Sequence, residues 1–121
     1  MATLTPTLTL TSTNASTDNL SLSVTDSLTV GNPAVNVARQ EVATTGQFNV
    51  LTAADNTSIT YVYLKNIDNT NVIIVKDDAG NAIIDLSPGE FAFFPVKGGT
   101  GLEATADTAA CVLEYGYWTK A

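Results

Sequence analysis

The side chains that most often carry enzyme chemistry are scarce in this chain of 121 residues. Histidine is absent, which removes the commonest general base, the usual partner of a nucleophile and the preferred ligand of transition metals. Cys111 is the only cysteine. It cannot close a disulfide within the chain and has no base or cation near it in sequence. Its flanks, Ala109-Ala110 and Val112-Leu113, suit a small buried core residue, with pairing to another chain the secondary reading. Two carboxylates suffice to hydrolyse a glycosidic bond, yet Glu90, Glu103 and Glu114 stand isolated in or beside short strands, not gathered around a cleft. Asp77, Asp78, Asn81 and Asp85 offer oxygens to calcium. Their glycine comes too early for a calcium loop, and a solvated hairpin tip accounts for the same residues. The chain is read as a non-enzyme with no cofactor and no metal.

The elements are legible from a period of two. Threonine occupies every second position from Thr3 to Thr13, with Leu4, Pro6, Leu8 and Leu10 between. Neighbouring side chains of an extended strand point to opposite faces, so this is the rhythm of a strand. It returns at Leu20, Leu22 and Val24, at Val35 and Val37, and at Cys111, Leu113, Tyr115 and Tyr117. No segment carries apolar residues at helical spacing over three turns. Turn signals about every 8–12 residues predict an all-β, single-domain antiparallel β-sandwich, jelly-roll-like, of about eight to ten short strands.

Residues 3–12 form the first strand, leucines inward and threonines outward, with Pro6 marking an edge or an arm docked on a neighbour. Residues 1–13 are therefore set apart as an N-terminal strand or arm, and 14–121 as the sandwich. A second strand spans Leu20 to Val30, its even-numbered apolar face interrupted by Asp26. Gly31-Asn32-Pro33 is expected to end it. Ile59 to Asn66 has the β-branched and aromatic density of a central strand, with both faces largely apolar. Asp77-Asp78-Ala79-Gly80-Asn81 predicts a hairpin with glycine in the left-handed conformation. Ser87-Pro88-Gly89-Glu90 predicts a type II turn.

Composition narrows the partners. Net charge is −7, and Arg39 is the sole cation in the first 64 residues. Nothing basic is available to neutralise phosphates, so neither nucleic acid nor an anionic membrane surface is expected as a partner. The sequence has no basic-then-apolar leader and no run of membrane-spanning length, which points to synthesis in a cytoplasm. Only 14% of residues are charged, below the roughly 25% of an ordinary domain. Thr, Ser and Asn solvate the surface instead. A hydroxyl costs far less to desolvate than an ion, so such a surface suits packing against copies of itself or a flat partner.

The aromatic residues sharpen that expectation. Phe93 and Phe94 are neighbours, as are Tyr117 and Trp118. On a regular strand one of each pair faces outward, unless a bulge turns its ring in. Outward aromatics on a sparsely charged surface have the composition of an interface centre. Leu4, Leu8, Leu10, Tyr61, Tyr63, Phe94 and Trp118 are the candidate interface residues.

Four pieces of the chain resemble small virion structural proteins of tailed bacteriophages, particularly marine and cyanobacterial phages. They are Met1-Ala2-Thr3-Leu4-Thr5, the strand Tyr61-Val62-Tyr63-Leu64-Lys65-Asn66-Ile67-Asp68, the turn Leu86-Ser87-Pro88-Gly89-Glu90-Phe91, and the closing segment from Ala106 to Tyr115. Residues 14–50 match in composition only. The resemblance implies a β-sandwich component of the particle and carries no active-site residue. Small size, acidity and the lack of fibre repeats favour the head: a decoration or cement protein, a homotrimer bound to the major capsid protein, assembled into the virion in the host cytoplasm. The N-terminal arm is expected to add backbone hydrogen bonds to a neighbour's sheet edge. A tail- or baseplate-associated protein, using loops 53–58 and 97–101 on a receptor, is the alternative.

Overall fold

The alternating pattern makes most of the chain extended. The computed structural model describes residues 2–121, and among these it contains eleven strands and no helix. They are β1 (Ala2–Leu4), β2 (Thr7–Ser12), β3 (Leu20–Thr25), β4 (Leu28–Val42), β5 (Phe48–Leu51) and β6 (Ile59–Asn66), followed by β7 (Ile73–Asp77), β8 (Ala82–Leu86), β9 (Phe91–Lys97), β10 (Leu102–Ala106) and β11 (Cys111–Lys120). Every pairing is antiparallel.

Eight strands build a sandwich of two sheets. One sheet runs β4-β11-β6-β9, with β1 outside β4, and the other runs β5-β10-β7-β8. In chain order the strands fall into the first sheet, the second, the first, twice the second, then first, second and first. That interleaving is a jelly roll. The inner faces meet in one core. Val62 and Leu64 of β6 and Leu113 of β11 are wholly buried with Ile73 and Val75 of β7 and Ala104 of β10. Each such aliphatic side chain larger than alanine contributes about 1.5–3 kcal/mol by leaving water. Cys111 is one of these core residues.

Eleven strands replace the eight to ten expected because Pro6 cuts where the alternation alone would continue, while the cut at Asp26 only moves Leu28–Val30 from one strand to the next. Pro6 separates β1 from β2, and Asp26 donates its backbone N–H to the Pro6 carbonyl at 3.2 Å, closing the base of a hairpin. Leu28 to Val30 then belong to β4. Gly31-Asn32-Pro33 does not end that strand, contrary to expectation. The partner strand steps from Trp118, opposite Ala34, to Thr119, opposite Gly31, so Asn32 and Pro33 sit in a bulge. A bulge is where a sheet tolerates proline. The Thr119 hydroxyl donates to the Pro33 carbonyl at 2.6 Å, occupying an oxygen that the displaced backbone leaves free.

The N-terminal arm also differs. It does not end at residue 13: β2 and β3 form a separate two-stranded ribbon, and residues 13–19 connect its strands. The leucines of β2 do not face a core. Leu8 lies opposite Val24 and Leu10 opposite Leu22, and all four are 39–50% exposed. The backbone of β2 has β3 as its partner along one edge, so residues 7–12 are one strand of a ribbon and not an edge strand of the sandwich.

One rim of the first sheet is blunted by Pro95 of β9, which has no N–H to offer. At the other, β1 covers only Leu28–Val30, so the rest of β4 is the edge, interrupted by the bulge at Asn32 and Pro33.

Two buried amides hold the ends of the sandwich. Asn66 donates from Nδ2 to the carbonyls of Asn71 and Leu86, both at 2.8 Å, and its Oδ1 accepts the Asp68 N–H at 2.9 Å. Its backbone exchanges hydrogen bonds with the turn at 87–90, where Gly89 takes the φ of 82° that a type II turn requires. At the opposite end Asn56 donates to the Lys97 and Thr100 carbonyls and accepts from the Thr60 hydroxyl at 2.8 Å. Asn66→Ala strands two carbonyls away from water and should lower the unfolding free energy by about 2–3 kcal/mol. Urea denaturation measures this; a loss below about 0.5 kcal/mol, the ordinary surface value, would show the staple dispensable.

Candidate functional site

The outer face of the first sheet is unusually aromatic, and strand parity explains which rings reach it. On β6 the residues Thr60, Val62, Leu64 and Asn66 are buried inward, so Tyr61, Tyr63 and Lys65 point out. Register places Trp118 beside Tyr61, and Phe93 beside Tyr63. Tyr61 and Phe93 stack with centroids 6.3 Å apart and planes 15° apart. Gly116 gives Trp118 its position: a Cβ there would lie 2.9 Å from Cη2 of the indole and 3.1 Å from the Val35 carbonyl oxygen. The ring lies across the glycine. Val37 at 56%, Phe91 at 64% and Phe93 at 40% remain exposed.

A short polar chain borders these rings. The Tyr63 hydroxyl donates to Glu114 Oε1 at 2.8 Å, and Arg39 Nε donates to Glu114 Oε2 at 3.1 Å. Burial, and then the hydrogen bond to a carboxylate, push the Tyr63 phenol up to about 12. The Tyr63 and Arg39 bonds hold the Glu114 carboxyl below its usual range. The three groups, with Lys65 opposite Glu114, form a polar border to the rings.

Between this face and the base of the β2–β3 ribbon runs an open groove of about 890 Å³. Its walls come from Leu4, Leu8 and Val24 on one side and from Val37, Phe93 and Trp118 on the other. The ribbon continues beyond the groove with Leu10, Leu20 and Leu22 on the same exposed apolar face. Cross-strand Thr7–Thr25, Thr9–Ser23 and Thr11–Ser21 pairs cover its other face with hydroxyls.

The sequence-predicted interface residues divide clearly. Leu4, Leu8, Tyr63 and Trp118 line the groove. Leu10 lies on the ribbon face, and Tyr61 lies beneath, only 8% exposed. Phe94 is a correction: it points inward and packs against the core, while Phe93 faces out. Tyr117 and Trp118 divide the same way, Tyr117 inward. Leu20, Leu22, Val24, Val37 and Phe91 were not foreseen as surface residues. Leu20-Ser21-Leu22-Ser23-Val24 has the same hydroxyl–apolar alternation as Thr7 to Ser12, and that match was the available sign of a ribbon.

The groups considered for chemistry are placed apart. Glu114 is on the outer face of one sheet and Glu103 on a strand of the other. Glu90 is held in its own turn, its Oε1 accepting the Ser87 N–H at 2.7 Å. Asp77 folds its hairpin: Oδ1 accepts the N–H groups of Ala79 and Asn81, and Gly80 has a φ of 90°. Among the described residues no cluster of three metal-ligating side chains occurs. Burial pushes the Cys111 thiol up, the reverse of what a nucleophile needs. Comparison with family models, with curated proteins and with solved structures finds no match to this chain.

Two outcomes are expected. In an alkaline absorbance titration Tyr63 should ionise near 12, and Glu114→Gln should bring it partway back toward 10. The stability tied to the neutral phenol is complete below pH 10 and is lost as pH rises through about 12. Gly116→Ala should displace the indole, destabilise the fold by about 1–3 kcal/mol through overpacking, and shift the emission of Trp118, the single tryptophan.

Proposed function

We propose that this chain is a structural protein of a tailed-phage particle, a decoration or cement protein that binds the assembled head and bridges capsomers. The observation that carries the proposal is a combination in one small molecule. A stapled jelly roll leaves a broad aromatic face and an apolar ribbon open, while its candidate catalytic groups are buried, paired or scattered. Such a molecule works by contact. The resemblance of the central strand, the turn at 87–90 and the closing strand to small phage virion proteins supplies the setting.

The physical mechanism needs no reaction. A trimer seated where capsomers meet spans several capsid subunits, and each copy contributes a patch of roughly 800 Å² to each partner. Contacts too weak to hold a monomer become effective together, because the first raises the local concentration of the others. Cross-linking of this kind opposes the outward pressure of packaged DNA. A sparsely charged surface rich in hydroxyls favours the docking, since few ions are desolvated.

A specific observation also supports a place on the tail. Loops 53–58 and 97–101 are fixed to each other by the Asn56 bonds to the carbonyls of Lys97 and Thr100, giving one end of the sandwich a rigid tip for receptor contact. Copy number separates the two readings. Cryo-electron microscopy of the particle carrying this chain should show many copies on the head, regularly placed at capsomer junctions; density confined to the tail tip, in a few copies, would replace the head reading. On emptied heads, excising residues 7–25 and rejoining Pro6 to Asp26 through a short linker should reduce occupancy, with unchanged occupancy excluding the ribbon from the contact.

A further inference from the structure

The β2–β3 ribbon is a two-stranded hairpin without a core of its own, and in water such a unit is marginal. It extends about 20 Å at strand rise, and no strand of either sheet packs extensively against it. One side is hydroxyls; the other is Leu8, Leu10, Leu20, Leu22 and Val24, each 39–50% exposed. The chain shows 6982 Å² of surface, whereas a folded monomer of its 12.6 kDa shows roughly 6,200 Å². The difference, about 800 Å², equals one partner's share of a standard stable interface.

We propose that the occupant of this surface is a second copy of the chain: the leucine face of the ribbon lies in the groove of a neighbour, against Val37, Tyr63, Phe91, Phe93 and Trp118. Three observations converge on that occupant. The base of the ribbon already lines the groove of its own molecule, so the two surfaces are chemically matched and continuous. Residues 7–25 carry one charged side chain, Asp18, in the connection at the ribbon's far end. The groove is lined by one charged residue, Asp26 at the ribbon's base, and the Arg39–Glu114 pair beyond its lining neutralises itself. Copies with a net charge of −7 therefore meet through surfaces that hold one charged side chain each, Asp18 at the ribbon's far end and Asp26 in the groove. Each molecule has both a ribbon to give and a groove to receive, so a reciprocal exchange makes a dimer, and a head-to-tail exchange whose rotation closes makes a ring; either buries every ribbon. This deepens the trimer of the head reading and is tested apart from any capsid.

The test uses the full chain. Size-exclusion chromatography with light scattering should give an oligomer, and Leu10→Ser with Leu22→Ser, both in exposed positions away from the core, should give a monomer that keeps the β circular-dichroism spectrum and whose thermal transition no longer depends on concentration. Dilution of the unsubstituted oligomer should shift Trp118 emission to the red as the groove is wetted. A mixture of Leu22→Cys chains and Val37→Cys chains should oxidise to a disulfide between the two kinds. A monomer at the highest soluble concentration would overturn the proposal, as would an oligomer indifferent to the serine pair. So would Leu22→Cys chains that pair only with one another, which would mean ribbons meeting ribbons. An oligomer that forms this way and yet binds no head would leave the exchange standing and remove the capsid role instead.

Discussion

Two side-chain amides with no access to water, Asn56 and Asn66, set the condition on which the sandwich depends. A jelly roll sends its chain from one sheet to the other at every crossing, and those crossings are loops whose carbonyls fall partly inside. Each amide meets that need with two donors and one acceptor, at distances between 2.7 and 2.9 Å. An apolar residue in either place would leave carbonyls unpaired at a cost comparable to the burial of a leucine. The sheets supply most of the burial energy. The amides decide which loops lie together at each end, and so the register in which the sheets face one another.

Much of this was legible in the residues. The strands from Gln47 onward follow their alternation almost to the residue, and Gly80 and Gly89 adopt the left-handed φ that their turns called for. What was hidden shares one cause: alternation defines two faces of a strand without saying which is inward. β6 is apolar on both, so alternation divides Phe93 from Phe94 without saying which faces out, and the assignment of Phe94 to the surface reverses once Val62 and Leu64 are seen to be buried. The leucines of β2 followed the same rhythm as a core strand, and only their pairing with an equally exposed β3 distinguishes a ribbon from a sandwich strand. Asn32 and Pro33 read as a terminator because local chemistry does not reveal that a neighbouring strand will span the bulge.

The candidate site owes its character to the other half of that parity. Once the core has taken Val62, Leu64, Leu113 and Tyr117, the alternate positions must face out. Here those positions hold Tyr61, Tyr63, Phe93 and Trp118, where an ordinary sheet would carry charges. Gly116 keeps the indole flat, and the Arg39–Glu114–Tyr63 chain ends the apolar area without adding net charge. The exposed apolar area thus belongs to one face of one sheet together with the ribbon beside it.

The rims of that sheet are unequal, and this has a consequence for growth end on end. A greasy β-protein held at high concentration risks extending through unpaired backbone, as amyloid does. Pro95 withholds a donor from the β9 border, so an added strand cannot continue the ladder there. The β4 border from Ala34 to Val42 has no such guard, and any lateral extension of the sheet starts from that side.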